Sequence, residues 1–261
     1  MAADARPWRL LLGIALACWS LACHSILGPS PIDKNWKVIE TQHFIFYVRP
    51  GSFAEQNIAR LGEVLEDQYA FALNALDIRY AGRISLFLYE SAADSDADDR
   101  SERSGTAYTD TQAVRAIVSP PLETTFHLVQ HESNHVIQQN AIGPGATYFM
   151  NEGLASAIIS ETFDRGGKSF LYPWTARNAS QIPDLSLLVD DDTWDDYSSQ
   201  MTYNAAASFL AYILDQGGPA RLKQLQRVPS PEFEARFQQV YGRSLDEAER
   251  DWRAFCAAYR P

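Results

Sequence analysis

One five-residue stretch, His131-Glu132-Ser133-Asn134-His135, limits what this chain can fold into. It reads H-E-x-x-H. Residues four apart on an α-helix stack one turn above each other, so His131 and His135 point the same way. Two imidazoles so placed hold one zinc ion between them, and Glu132 sits close enough to take a proton from water at the ion. A third ligand has to come from another element. The candidate is Glu152, in Asn151-Glu152-Gly153-Leu154-Ala155, 17 residues after His135, which leaves room for a turn and a return. Gly153, Ala155, Ser156 and Ala157 are small, and let this second helix approach its neighbour closely, as a shared metal requires.

With 5 histidines in 261 residues, an accidental H-E-x-x-H is expected in about one of two hundred such chains. The flanking residues set aside a core helix with incidental histidines. Leu122, Phe126, Val129, Val136 and Ile137 form an apolar stripe opposite the histidines. The histidine side carries Thr124, His127, Leu128, Asn134 and Gln138. Residues 121–140 contain no Lys or Arg, and their only acids are Glu123 and Glu132. A solvated face carries charge pairs. This one is polar and almost uncharged, as suits a helix buried between two lobes with a site on one side.

These two segments resemble the gluzincin metallopeptidases, and Asn151-Glu152-Gly153-Leu154-Ala155 resembles the N-E-G-L-A segment of their peptidase MA-like branch. The resemblance implies His131, His135 and Glu152 as zinc ligands and Glu132 as catalytic base. It also implies that a tyrosine opening a later helix donates to the oxyanion. Tyr203, followed by Ser208-Phe209, matches that position, with Tyr197 as competitor. The chain departs from the pattern in two places. Ser133 and Asn134 are more polar than is usual inside the motif, and Ser156 stands where an acid often follows the glutamate by four residues. The resemblance spans about 36–259 and is specific only at the two zinc segments.

The N-terminus reads as a targeting segment. Arg6 and Arg9 precede an apolar run over 10–22, 13 residues broken by Gly13 and Ser20, too short to span a bilayer and suited to a signal-peptide core. Leu21-Ala22-Cys23 resembles a bacterial lipobox, which implies lipidation of Cys23; Leu16-Ala17-Cys18 fits the same pattern with a shorter core. His24 in the next position resembles outer-membrane sorting, so the expected location is the periplasmic face of the cell envelope, held to the membrane by lipid alone. Residues 1–23 are then the signal peptide, 24–35 a proline-bearing tether, and 36–261 the metallopeptidase domain. Cys256 is left as the only cysteine of the mature chain, in an apolar helical pattern, and no disulfide framework is possible there.

The chain carries 22 Lys and Arg against 33 Asp and Glu, net −11. Losing Arg6, Arg9 and Asp4 with the leader takes this to 20 against 32, or −12. Such a surface excludes nucleic acid and bare anionic lipid as partners.

Strands are expected over 36–40, 43–48, 83–89 and 113–118, and one long helix over 53–76. Ser119-Pro120-Pro121 is expected to cap the metal-site helix. His43 reads as a strand residue. Asp94, Asp96, Asp98 and Asp99 form a solvated acidic loop that fails as an EF-hand, as do the acids 190–196 around Trp194. Residues 164–196 read as an irregular loop covering a cleft, with Leu185-Ser186-Leu187-Leu188 as a short packed piece. A helix opened by Met201-Thr202-Tyr203 is closed by Gly217-Gly218, and three helices follow over 219–227, 231–241 and 244–259, the last with a Ser244–Glu247 capping box. The fold expected is α+β and zincin-like. An N-terminal mixed sheet, a long helix and the metal-site helix pack on a C-terminal helical lobe, with Zn2+ in the cleft between. In gluzincins an edge strand above the zinc pairs with substrate backbone, and residues 105–118 are placed to supply it by that resemblance. The activity expected is hydrolysis of peptide bonds in a peptide or protein substrate. The rivals are a zinc-containing lipoprotein acting as a binding or scaffolding module, a zinc amidase on cell-wall peptides, and calcium-dependent adhesion through the acidic loops.

Overall fold

A computed structural model describes residues 35–95, 104–160 and 167–260. The leader with Cys18 and Cys23, nearly all of the tether, and Asp96, Asp98 and Asp99 lie outside the described residues.

The described residues form an α+β structure of five strands and eleven helices. Strands β1 (Lys37–Glu40), β2 (Phe44–Val48), β3 (Ile84–Tyr89), β4 (Gly105–Tyr108) and β5 (Ala113–Ile117) make one sheet in the order β1-β2-β3-β5-β4. The two inner pairings, β2 with β3 and β3 with β5, are parallel; β1 and β4 run antiparallel to their neighbours and form the edges. Strand residues alternate between faces. Phe44, Phe46, Val48, Ile84, Leu86, Leu88, Val114 and Ala116 are buried on the face that joins the main core. On the other face Tyr47 stacks on Phe87 at 4.3 Å, Trp36 packs edge-on against Phe87 and Tyr89, and Arg49 lies 3.9 Å over the Trp36 ring.

The expected helix over 53–76 is two. α1 (Phe53–Gln56) stops at Asn57, whose φ −110° and ψ 10° break the ladder before α2 (Ile58–Leu76). The break lets α2 lay Leu61, Val64, Leu65, Tyr69, Ala72 and Leu76 into the core. α3 (Ala92–Ser95) places Asp94 against Arg49 at 3.1 Å. α4 (Leu122–Ala141) lies along β4 and β5 and against α2. Its start differs from expectation: Ser119 is not the cap, Pro121 is the extended residue before the helix, and the Ser119 carbonyl accepts from Thr125 Oγ1 at 3.1 Å.

The C-terminal part is helical: α5 (Tyr148–Ala157), α6 (Lys168–Asn178), α7 (Leu185–Val189), α8 (Asp191–Trp194), α9 (Ser199–Lys223), α10 (Ser230–Tyr241) and α11 (Leu245–Ala258). Three of these, α6 to α8, occupy the region expected to be an irregular loop. Prolines and acids obscured their periodicity, but Leu171, Tyr172, Leu185, Leu188 and Trp194 are buried and supply the packing that propensity lacks. Gly218, at φ 73°, breaks α9 where the Gly-Gly pair predicted a stop. The Ser244–Glu247 capping box is present. Cys256 is buried and free, and burial pushes its thiol up to about 11.

His43 ties the β1–β2 turn to α2 rather than serving as a ligand. Glu66 accepts from Thr41 Oγ1 at 2.6 Å and from His43 N at 2.8 Å, and His43 Nδ1 lies 2.5 Å from its other oxygen. Burial alone would raise the Glu66 carboxyl, but these contacts outweigh it and hold it below the usual carboxylate range. A carboxylate depressed in the folded state stabilises the fold above its unfolded value, about 4.3, and loses that contribution as pH falls through the folded value. Glu66→Gln is therefore expected to lower Tm at neutral pH and to flatten its decline toward acid. Tm measured from about pH 7 to about pH 3 checks this; parallel curves for the two proteins would remove the linkage.

Candidate metal centre

The metal-site residues sit where α4 and α5 meet. On α4, His131 and His135 face one way, their rings perpendicular with centroids 4.7 Å apart. α5 begins at the Thr147 cap, whose hydroxyl accepts from Met150 N at 3.1 Å, and the Tyr148 amide donates to Asp191 at 2.8 Å. That fixed start presents Glu152 to the histidines. Its Oε2 lies 3.1 Å from His131 Nε2 and 3.2 Å from His135 Nε2, and the two Nε2 atoms are 3.1 Å apart.

These three atoms form a nearly equilateral triangle. Tetrahedral bonds of about 2.0–2.1 Å place neighbouring ligand atoms roughly 3.3 Å apart, close to what is seen. Calcium, with bonds of about 2.3–2.6 Å and six or more oxygens, asks for a wider and more oxygen-rich site. The donor set, two imidazoles and one carboxylate, is the chemistry that holds a small divalent transition ion. Among the described residues this is the one group of three or more His, Cys, Asp or Glu side chains with ligand atoms so close together.

The electrostatics agree. Burial disfavours charge on His131, but its contact with Glu152 and the charges of Glu132 and Glu152 outweigh this and raise its pKa. Burial likewise opposes ionisation of Glu152, yet the two histidines hold its carboxyl far below the usual range. The centre is therefore one that retains a buried anion and calls for positive charge beside it.

The support around the ligands is uneven. Ser156 Oγ lies 3.1 Å from His131 Nδ1. A proton on Nδ1 donated to that hydroxyl leaves Nε2 with its lone pair toward the centre. The serine that replaces the expected acid thus still reaches the ring. His135 Nδ1 is buried with no hydrogen-bond partner among the described residues.

A cleft of about 810 Å³ opens over the centre. Glu132 lines it together with His131, His135 and Glu152, and Gly105, Thr106 and Ala107 of the edge strand form one wall. The strand lies against the acid so closely that a Cβ on Gly105 would come 2.8 Å from Glu132 Oε1 and 2.7 Å from Leu128 Cδ1. Tyr203, at the start of α9, also lines the cleft, its ring 5.8 Å from that of His131 and 5.9 Å from that of Trp194. Tyr197 packs on the core and is not among the lining residues, whereas His127 is among them but outside the ligand triangle.

Close approach of α5 to a neighbour was anticipated from its small residues, but the tight contact is with α9. A Cβ on Gly153 would lie 2.7 Å from that of Ala206. Sequence reading missed Tyr148 and Asn151 as lining residues, and Gln68, which reaches the α4–α5 junction from α2. A signal for Gln68 did exist: it is a lone amide at a core position in the apolar stripe of α2.

The purified protein is expected to bind one divalent ion per chain. His131→Ala or His135→Ala should abolish binding, and Glu152→Gln should weaken it, because a neutral amide is a poorer ligand. Metal content by elemental analysis checks this, and full retention in either histidine variant would refute the centre. No family model matches the chain, and comparison with curated proteins finds no match.

Proposed function

We propose that this protein is a zinc-dependent metallopeptidase with a zincin-like fold of the gluzincin type, carried on an envelope lipoprotein. The observation that carries the reading is the triangle of His131, His135 and Glu152 at the floor of a cleft that Glu132 and Tyr203 also line. Three protein ligands leave a position open, which is the pattern of catalytic zinc, whereas structural zinc takes four. That favours an enzyme over a scaffolding module.

Zinc held by these residues supplies Lewis acidity, which polarises an amide carbonyl and acidifies water. The chain's own groups do the rest. Glu132 takes the proton of the attacking water and returns it to the leaving amine. Its burial to 9% exposure and the covering strand β4 keep bulk water from competing for that proton. Tyr203 donates its phenol proton as a hydrogen bond to the carbonyl oxygen while negative charge develops there. β4 is the sheet edge and a cleft wall, and an edge strand offers backbone donors and acceptors to an extended peptide. Extended-peptide recognition favours peptide bonds in polypeptides over other amides.

Glu132→Gln is expected to keep its zinc and lose nearly all turnover. Tyr203→Phe should lower kcat by about 100-fold or more with little change in KM, the effect of removing one transition-state donor. Peptide hydrolysis by metal-loaded protein tests both, and wild-type turnover in Glu132→Gln would refute the mechanism. The described lining residues include three carboxylates, Glu132, Glu152 and Asp195, and no Lys or Arg. Peptides with acidic residues flanking the scissile bond are therefore expected to fall about 10-fold or more below neutral ones in kcat/KM, because like charges would be brought together. A matched peptide series measures this.

A further inference from the structure

The polar residue inside the motif has a use that the proposed chemistry does not supply. Asn134 is fully buried and turned away from the cleft. Its Nδ2 donates to the Ala155 carbonyl at 2.7 Å, and its Oδ1 accepts from Gln68 Nε2 at 2.9 Å. Gln68, also fully buried, donates from the same nitrogen to the Ile158 carbonyl at 2.8 Å and accepts from Ser160 N at 2.7 Å. Both Nε2 protons are used, and both amides have one satisfied orientation. Turning Gln68 over would set oxygen against two acceptors and nitrogen against a donor.

The carbonyl of Ala155 belongs to the last turn of α5, where helices leave carbonyls without internal partners. Ile158, the capping residue, has φ −98° and ψ 23°, so no left-handed glycine closes this end. Side chains from α2 and α4 close it instead. The contact of α5 with α9 is apolar and close, and apolar contact sets distance better than it sets height or rotation. Directional bonds set those. Ala155 follows Glu152 by three residues, about 4.5 Å along the axis, so fixing that carbonyl fixes where the Glu152 carboxylate meets the imidazoles.

We propose that Gln68 and Asn134 form a positioning pair, a cap supplied by neighbouring helices of the same chain that holds the glutamate helix in register with the histidine helix and so sets the ligand triangle. The inference rests on the metal reading of that triangle and concerns a step before catalysis, the assembly of the site. Removing either amide leaves a buried carbonyl without its donor, and α5 must shift or admit water to satisfy it.

The test uses the purified full-length protein, with Zn2+ affinity measured by competition against a chromophoric chelator and site geometry by the visible spectrum of the Co2+ form. Gln68→Met and Asn134→Leu keep size and remove the amides. Each is expected to weaken Zn2+ binding by about 10- to 100-fold, the range for residues that orient ligands, and to alter the Co2+ spectrum. Leu76→Ala, which opens a cavity elsewhere on α2, should lower Tm while leaving Zn2+ affinity and the Co2+ spectrum at wild-type values. If Met or Leu prevents folding, Gln68→Asn and Asn134→Ser shorten the side chains while keeping polarity, and the same loss is expected of them. Folded variants with wild-type Zn2+ affinity and Co2+ spectrum would overturn the positioning role while leaving the metal centre intact. Wild-type protein that binds neither ion would overturn the metal reading and the positioning role together.

Discussion

Three ligand atoms from two helices meet within 3.2 Å of one another at a buried point, and the rest of the structure answers to that convergence. Burial penalises the charge on Glu152, and the two histidines beside it outweigh that penalty. With both imidazoles neutral, a cation held between the three groups takes over that role. The fold must hold them together beforehand, because a metal ion binds most tightly to ligands that need little rearrangement.

The scaffold meets this demand from both sides of the junction. α4 is held by the sheet: it lies along β4 and β5, and its residues from Val129 to Gln138 are all buried. α5 is held by the C-terminal helices, where Phe149 packs on Phe209 and Phe233, and Gly153 admits Ala206. α9 and α11 are locked in turn by Ser208, which accepts from Trp252 Nε1 at 3.0 Å and from Thr175 Oγ1 at 2.8 Å. The cleft is the gap left between sheet edge and helices. Its walls come from elements far apart in sequence, β4 on one side and α8 and α9 on the other.

No helix of the described residues is long and apolar enough to cross a membrane. The proposed lipid anchor at Cys23 lies outside the described residues.

What could be read from sequence was local. The facing of His131 and His135 follows from four residues of helix, the alternation of β2 from a period of two, and the α11 cap from a serine and a glutamate three apart. Each depends on covalent geometry within one or two turns, so residue spacing specifies it. The break at Asn57, the helices α6 and α8 and the start of α4 escaped that reading, because tertiary packing outweighs weak or interrupted local preference. For the centre itself, sequence named the residues, while only the folded chain decided how they meet. Glu152 reaches the histidines because α5 is seated on α9 and capped by Gln68 and Asn134, residues whose spacing to it carries no period. Contacts between distant segments depend on side-chain shape and hydrogen-bond direction in three dimensions, which hydrophobic periodicity does not encode.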